Sequence, residues 1–316
     1  RSAEELFERA RALALQLQAV DTLAQIHFEM GLYLRDHHQL TEALAAFQQA
    51  LSYFSQLNMP WADESVLTCN YLADVYCHLG QPAKGEYFAL EAVAGASRAS
   101  NIIQPLPYVT LSECYAAQAH WPEALRAIND APEDYASSDM PLRFWLGRWT
   151  FDGGNALIGL EIMREAVPPE NVECMMWFID YLLEGNFTEE ATIRLHQMVK
   201  LGRFNEEIRS ALPIQAFYDR LRGRLAAANK DFARAISLLD RAAHQFTREG
   251  YVLLSVSTRR VYAEALLARC SPGDEQAARS LLEEAIAACK KLTLHAENRR
   301  LQTVLRAHWP DATSPR

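Results

Sequence analysis

A spaced pattern of small residues recurs along the chain and restricts its fold more than any other feature does. A small residue is followed by a second small residue twelve positions later, a large apolar residue four positions further on, and a small or apolar residue three positions after that. Each copy fits two antiparallel helices joined by a tight turn, because small residues let helix backbones approach closely and the four-then-three spacing lies on one helix face. The copies are Gly31, Ala43, Phe47, Ala50; Ala73, Gly85, Ala89, Ala92; Ser112, Ala124, Ile128, Ala131; Gly147, Gly159, Met163, Ala166; Ile179, Ala191, Leu195, Met198; Gly223, Ala235, Leu239, Ala242; and Ala263, Ala278, Leu282, Ala285, the last with three extra residues in its turn.

Turn-forming segments fall between the two helices that each copy predicts. Gly and Asn recur in these segments, and both residues tolerate the left-handed backbone conformation that ends a helix. A turn in the same position of successive copies indicates that the copies are repeats of one structural unit. The segments are 36–39, 79–82, 119–122, 152–155, 184–186 and 228–231.

With these residues and turns, the chain resembles the tetratricopeptide repeat family over nearly its whole length. The first small residues of successive copies lie 42, 39, 35, 32, 44 and 40 positions apart, mostly longer than the family's usual period of about 34. The resemblance is therefore to the long-period type found in bacterial signalling and regulatory proteins. It implies an all-α, right-handed superhelical solenoid of about seven antiparallel helix pairs.

The ends of the array are predicted from the same spacing. Ala3, Phe7 and Ala10 have the spacing of a second helix without its partner, so we expect a leading orphan helix and a chain that is part of a larger protein. Residues 293–308 are expected to form a trailing capping helix. We take residues 1–309 as one array with a candidate hinge at 140–170 between two sub-arrays, and 310–316 as a frayed tail.

The composition of the chain limits the kinds of partner and the cellular compartment that we expect. The net charge is −9, with 11 Lys+Arg and 27 Asp+Glu in residues 1–199 against 20 and 13 in residues 200–316. An acidic chain is a poor binder of nucleic acid, which needs clustered positive charge, and no apolar run approaches the length of about 20 residues that spans a membrane. The six cysteines occur singly, which predicts reduced thiols and a cytoplasmic protein.

The inner surface of such a solenoid is built mainly from first helices. Positions three before, one after and four after each small anchor face away from the second helix, and they define a candidate binding groove. Its start is predicted to be acidic and amide-bearing, its middle apolar with one arginine, and its far end basic. The candidate residues are Asn70, Asp74, Glu113, Phe144, Arg148, Phe151, Asp180, Arg220, Arg224 and Arg260.

Two features of the groove each leave two interpretations open. Arg220 and Arg224 could clamp an acidic group or chain carboxylate of a peptide, since guanidinium groups bind carboxylates in a bidentate manner, or they could be solvated or paired with Asp219 and Glu264. A cluster of aromatic residues around Trp145, Trp149 and Trp177 could form a ligand pocket or could be core packing.

No motif of an enzyme, metal site or cofactor site is present. The sequence contains no HExxH, no phosphate-binding loop, no GxSxG and no GxGxxG, and its histidines lack metal-ligand spacing. We therefore predict a non-enzymatic protein- or peptide-binding scaffold that needs no cofactor. The alternative, implied by the resemblance, is a ligand- or peptide-sensing module of a bacterial transcriptional or signalling regulator. The oligomeric state is not determined by the sequence.

Overall fold

The fold is an array of helices, as the small-residue pattern predicts. The computed structural model describes residues 3–57, 63–96, 105–132, 141–168, 170–200 and 213–310. Within these residues there are sixteen α-helices and no strand. The helices are α1 (Ala3–Gln16), α2 (Val20–Asp36), α3 (Leu40–Gln56), α4 (Asp63–His78), α5 (Pro82–Ala96), α6 (Leu106–Ala117), α7 (Trp121–Asn129), α8 (Leu142–Asp152), α9 (Ala156–Ala166), α10 (Val172–Glu184), α11 (Thr188–Lys200), α12 (Ile214–Ala228), α13 (Phe232–Arg248), α14 (Val252–Arg269), α15 (Asp274–Leu292) and α16 (His295–His308).

The pairing of the helices confirms the all-α repeat prediction. Seven consecutive pairs, from α2 with α3 to α14 with α15, pack within each pair, and each pair also contacts its neighbour along the chain. α1 precedes the first pair as a single helix, and α16 packs on α14 and α15 after the last pair. The proposed tail beyond Pro310 and parts of the candidate hinge lie outside the described residues, and the hinge remains a prediction.

The turn inside each pair has one geometry. A residue with positive φ stands five positions before the small anchor of the second helix in all seven pairs. In the first pair this residue is His38, whose N–H donates to the carbonyl of Arg35 over 2.9 Å, while the N–H of Gln39 donates to the carbonyl of Leu34 over 2.9 Å. These two bonds satisfy carbonyl groups that the helix end would otherwise leave unpaired. The positive-φ residues are His38, Gly80, Ala119, Gly154, Asn186, Lys230 and Gly273.

The small anchors are small because a large side chain of the partner helix lies against them. A Cβ built on Gly31 would lie 2.6 Å from ring atoms of Phe47, and one built on Gly223 would lie 2.7 Å from Cγ of Leu239. The Phe47 ring also stacks on Tyr71 of the next pair, with ring centroids 5.6 Å apart. The large residue of each repeat therefore fills space within its own pair and reaches the next one.

The array curves until its last helices touch its early ones. α14 contacts α4, and α16 contacts α6. Nδ1 of His38 lies 2.9 Å from the hydroxyl of Tyr251, which stands 213 positions later in the chain. Arg300 on α16 forms an ion pair with Asp152 at the end of α8. The first helices therefore enclose a space, whereas the sequence predicted an open groove.

The hydrophobic core consists of several clusters of buried residues between neighbouring helices. One cluster includes residues from Ala24 on α2 to Leu254 on α14, a second surrounds α14, α15 and α16, and smaller clusters contain the apolar residues of α6 and α7. Clusters between neighbours are expected of a repeat array, in which each pair buries its apolar face only against its neighbours. Among the helices of the described ranges, none is both long enough and apolar enough to span a membrane.

Candidate functional site

The space enclosed by the curved array is a cavity of about 120 Å³. Every first helix from α4 to α14 contributes to its wall, as does α16, which closes one side. Most of the wall consists of charged and aromatic side chains. The groups that the following paragraphs use are Asp74, His78, Glu113, Arg148, Trp149, Asp152, Trp177, Asp180, Tyr181, Glu184, Arg220, Arg260, Glu297 and Arg300.

The ten residues predicted for the groove divide into those that reach the cavity and those that do not. Phe144 and Phe151 are buried in the hydrophobic core, so the apolar middle of the predicted groove is packing. Asn70 is buried, and its side-chain oxygen has no hydrogen-bond partner. Arg224 does not line the cavity, and it donates hydrogen bonds to the carboxylates of Asp180 and Glu184, which do. The remaining six line the cavity and are Asp74, Glu113, Arg148, Asp180, Arg220 and Arg260.

Arg220 and Arg224 share the carboxylate of Asp180. Nε and Nη2 of Arg220 donate to the two oxygens of Asp180 over 3.1 and 3.0 Å, and Nη1 of Arg224 donates to Oδ1 over 2.7 Å. Nη1 of Arg220 also donates to the hydroxyls of Ser257 and Thr258, each over 2.8 Å. Burial alone would raise the pKa of Asp180, but the two guanidinium groups hold it below its ordinary value. Both arginines are therefore engaged within the protein, by Asp180 and not by Asp219.

Arg260 and Glu184 extend this network toward the last helix. Nη2 of Arg260 donates to both oxygens of Glu184 over 3.0 Å, and Nε donates to Oε1 of Glu297 over 3.1 Å. Burial alone would raise the pKa of Glu184, but Arg260, followed by Arg224, holds it far below its usual range. Arg260 additionally bonds Glu264 over 3.0 Å.

Asp152 connects the network to α16. It forms an ion pair with Arg300, whose Nη1 also lies 3.4 Å from Oε2 of Glu297. The hydroxyl of Tyr181 donates to Oδ2 of Asp152 over 2.7 Å. Ion pairs thus join α8, α10, α12, α14 and α16, which fixes the curvature of the array at this side of the cavity.

Asp74 and His78 form a separate ion pair on α4. Nε2 of His78 lies 3.2 Å from Oδ1 of Asp74, one helical turn away. Burial alone would lower the pKa of His78, but the carboxylate of Asp74 raises it above its ordinary value. The pair therefore favours a charged imidazole balanced by a charged carboxylate.

Arg148 differs from the other arginines of the wall. Its guanidinium carbon lies 4.1 Å from the ring centroid of Trp177, 4.3 Å from that of Trp145 and 4.8 Å from that of Trp149. Nε and Nη1 are buried and have no hydrogen-bond partner. The nearest carboxylate, Glu113, has its Oε1 4.0 Å from Nη1, too far for a hydrogen bond. Leaving two buried donors of a charged group unpaired is costly, so the charge of Arg148 is balanced less completely than that of the other arginines of the wall.

Glu113 titrates near neutrality. Burial raises the pKa of Glu113 to about 7, with Arg148 opposing that effect and Asp74 adding to it. Its side chain remains 28% exposed because it faces the cavity. The charge next to Arg148 therefore changes within the physiological range of pH.

The aromatic cluster serves both as core and as cavity wall. Trp145 and Trp149 are buried, with ring centroids 5.5 Å apart, which agrees with core packing. Trp149 and Trp177 also line the cavity. The indole N–H of Trp149 donates to the hydroxyl of Ser112 over 2.9 Å, which fixes the orientation of its ring. The two interpretations of this cluster are thus compatible.

Several residues of the wall were not among the predicted ones. His78, Asp152 and Glu184 stand four positions after Asp74, Arg148 and Asp180, so one further helical turn on the same face would have included them. Glu297 and Arg300 reach the cavity only because α16 folds back on α6, and no local pattern indicates that contact. Among the described residues, no group of three or more His, Cys, Asp or Glu side chains is arranged to hold a metal ion.

Comparison with known proteins gives distant likeness only. No family model and no curated protein matches the chain. A structure described as functional characterization of Pseudomonas aeruginosa PilF covers 72% of this chain and 94% of its own, with 16% identity and a TM-score of 0.44. A Rap protein complexed with competence and sporulation factor covers 91% of this chain and 75% of its own, with 12% identity and a TM-score of 0.43.

A third similar structure is the C-terminal part of a TPR repeat-containing protein from Cytophaga hutchinsonii. It covers 88% of this chain and 99% of its own, with 13% identity and a TM-score of 0.38. The chain itself has the helix pairs, the common turn and the small anchors of a repeat array. The fold is that of a tetratricopeptide-like array.

Proposed function

We propose that the chain is a non-catalytic binding module whose partner enters the cavity enclosed by its first helices. The observation that carries the proposal is the wall at Arg148, where a buried guanidinium with two unpaired nitrogens stands among three indole rings. Enclosed sites with a few convergent polar groups are typical places for ligands. We further place the module in the cytoplasm, which its six free cysteines support.

The chemistry of the wall favours binding over catalysis. Most of its charged groups are engaged in ion pairs with one another, and such groups position a ligand better than they transfer protons. Sγ of Cys77 lies 2.8 Å from Sγ of Cys114. The hydrogen bond shared with Cys114, together with burial, raises the pKa of the Cys77 thiol, so it is a poor nucleophile.

The volume of the cavity bears on the kind of partner. A volume of about 120 Å³ offers room for about ten non-hydrogen atoms, given that a water molecule needs about 10–15 Å³ on the same measure. A small molecule or the end of a peptide fits this space, whereas a long peptide does not. This favours the second candidate function, a ligand- or peptide-sensing module of a bacterial signalling or transcriptional regulator, over a scaffold with an open groove.

The test compares the native chain with a variant whose cavity is filled. Ala296 lies in the wall and is half-buried, so Ala296→Trp should fill the cavity from α16. Ala277→Trp adds the same side chain at an exposed position of α15 and is the matched control. Each protein is incubated with the small-molecule fraction and with the peptide fraction of an extract of cells that produce it, and the bound species are weighed by native mass spectrometry.

Two results of this test are informative. A bound species that is held by the native chain and by Ala277→Trp, and lost from Ala296→Trp, supports the cavity as the binding site. The fraction that contains the species distinguishes the sensor from the peptide-binding scaffold. A species held equally by all three proteins would place the binding site elsewhere and contradict the proposal.

A further inference from the structure

The charged groups of the cavity can be matched with one another, and one of the pairs lacks a hydrogen bond. Four carboxylates are hydrogen-bonded or ion-paired to four guanidinium groups, and Asp74 is paired with His78. Among the described residues of the wall, Arg148 alone faces a carboxylate, that of Glu113, without a hydrogen bond to it. The four carboxylates are Asp152, Asp180, Glu184 and Glu297, and the four arginines are Arg220, Arg224, Arg260 and Arg300.

The surroundings of Arg148 indicate which kind of ligand would pair with its guanidinium. Arg148 is 5% exposed, so water solvates little of its charge. Arg148 lines the cavity, and a guanidinium group is a strong hydrogen-bond donor to a carboxylate. The indole rings of Trp149 and Trp177, which also line the cavity, offer an apolar surface beside this cation. The site therefore suits a group with one negative charge and an apolar body.

We propose that the cavity binds a small carboxylate-bearing ligand, whose carboxylate accepts hydrogen bonds from the guanidinium of Arg148 and whose apolar body lies against Trp149 and Trp177. The inference rests on the proposed function, because it names the ligand class of the same cavity. The carboxylate belongs either to a free small acid or to the C-terminus of a peptide, since both present the same group to Arg148.

Glu113 competes with the ligand for Arg148. When it is ionised, its carboxylate neutralises Arg148 from 4.0 Å and repels an incoming carboxylate. When it is protonated, the charge of Arg148 is left for the ligand. The ligand should therefore bind more tightly at about pH 6 than at about pH 8. The charged groups that face Glu113 are Asp74 and His78 on α4, Arg148 on α8 and Glu173 on α10, and α16 contributes Glu297 and Arg300 to the same cavity.

The first experiment titrates the full chain with hexanoate and benzoate, and with hexanamide and benzamide as uncharged counterparts of the same shape. Isothermal titration calorimetry gives the affinities. We expect each acid to bind at least about tenfold more tightly than its amide, because hydrogen bonds to a charged partner are the stronger ones. Equal affinity of acid and amide, or no binding by either acid to the folded chain, would overturn the proposal.

Two variants test whether the carboxylate of the ligand binds at Arg148. Arg148→Met keeps much of the side-chain volume and removes the donors, and it should weaken hexanoate binding at least about tenfold. Glu113→Gln keeps the guanidinium and removes the competing charge, so hexanoate should bind more tightly than to the native chain at about pH 8 and with little dependence on pH. The second variant decides the matter if the first fails to fold. Unchanged affinity and pH dependence in the Glu113→Gln protein would contradict the proposal.

A final pair of probes distinguishes the two sources of the carboxylate. N-acetyl-leucine and a decapeptide that ends in leucine present the same terminal group. Similar affinities would assign the site to a peptide C-terminus, whereas binding of N-acetyl-leucine alone would assign it to a free small acid. If both probes and both simple acids fail while an extract component is still lost from Ala296→Trp, then the carboxylate inference is wrong and the binding cavity stands.

Discussion

Oε1 of Glu113 and Nη1 of Arg148 lie 4.0 Å apart in the wall of the central cavity, close enough to interact as charges and too far apart to share a hydrogen bond. The two residues stand at the same position of neighbouring repeats, one place after the small anchors Ser112 and Gly147. The other cavity arginines are held by carboxylates over 3.4 Å or less. The pair is therefore the point in the wall at which charge and hydrogen bonding are least satisfied.

The raised pKa of Glu113 predicts how stability depends on pH. Its pKa is about 7 in the folded chain, against about 4.3 for an exposed glutamate. A carboxyl group whose folded pKa is raised contributes stability below its unfolded pKa and loses it as the pH rises through the folded value. The free energy of unfolding of Glu113→Gln, relative to the native chain, should therefore increase by about 2 kcal/mol between about pH 5 and pH 8.

Urea unfolding of both proteins at the two pH values measures this difference. Glu190→Gln is a suitable control, because Glu190 is only partly buried and bonds Arg164 at the surface. A relative stability of Glu113→Gln that stays constant would show that Glu113 titrates as an ordinary surface carboxyl group, and one that falls as the pH rises would show a lowered pKa; either result contradicts the prediction.

Asp180 is predicted to be essential to the stability of the fold. It is 7% exposed and receives hydrogen bonds from both Arg220 and Arg224. Asp180→Asn would leave the buried guanidinium of Arg220 without its charge partner and would leave Arg224 with Glu184 alone, at a cost of about 3 kcal/mol or more. The same change in the surface pair, Glu190→Gln, should cost less than about 1 kcal/mol. Chemical denaturation of both variants would show similar losses if burial did not matter to these pairs.

The close contact between Gly31 and Phe47 predicts a compensating pair of substitutions. Gly31→Ala places a Cβ about where the ring of Phe47 lies, 2.6 Å from two of its atoms, and overpacking of this kind costs about 1–3 kcal/mol. Phe47→Leu frees space at the cost of a cavity. In the double variant, the loss of unfolding free energy should be smaller than the sum of the two single losses by at least about 0.5 kcal/mol. If the two losses of unfolding free energy were additive, the contact between Gly31 and Phe47 would not couple the two positions.

The pairing of helices was predictable because it depends on local spacing. Small anchors, turn residues and the four-then-three pattern recur within each copy, and the orphan and capping helices follow from the same register. Side chains one position after the anchors, namely Asp74, Glu113, Arg148 and Asp180, reach the cavity as predicted from helix geometry. The same rule placed Phe144 and Phe151 in the groove, and both are buried in the core, because the curvature of the array covers their side of the helix.

The closure of the array was not predictable, because it depends on contacts between distant repeats. His38 with Tyr251, and Arg300 with Asp152, join residues that no sequence period relates. From the sequence, Arg220 and Arg224 could either clamp a carboxylate in the groove or be solvated or paired with Asp219 and Glu264. The structure instead binds Arg220 and Arg224 to Asp180 and holds Arg148 4.0 Å from Glu113 without a hydrogen bond to it. The stacking of the repeats therefore decides which arginines are hydrogen-bonded to a carboxylate.

The closure itself predicts a cross-link between the early and late repeats. A Cβ built on Gly80 lies 3.2 Å from Cβ of Val252, close to the spacing of about 3.5–4.5 Å found in disulfides. The double variant Gly80→Cys with Val252→Cys, in a Cys270→Ser background that removes the exposed thiol, should form this disulfide on mild oxidation. Peptide mapping identifies it, and each single-cysteine variant is a control. Because Gly80 has a positive φ that strains a cysteine, the result that would contradict the closure is a natively folded double variant that forms only intermolecular disulfides.

The six tryptophans provide the most direct test that a ligand occupies the cavity. In a chain labelled with ¹⁵N-tryptophan, the indole signals of Trp149 and Trp177 report on the wall beside Arg148. The signal of Trp309, which donates to Glu275 away from the cavity, is an internal control. Titration with hexanoate should shift the Trp149 and Trp177 signals and leave that of Trp309 unchanged, and Arg148→Met should abolish the shifts. If Trp149 and Trp177 did not respond, or if only Trp309 did, the carboxylate would not bind in this cavity.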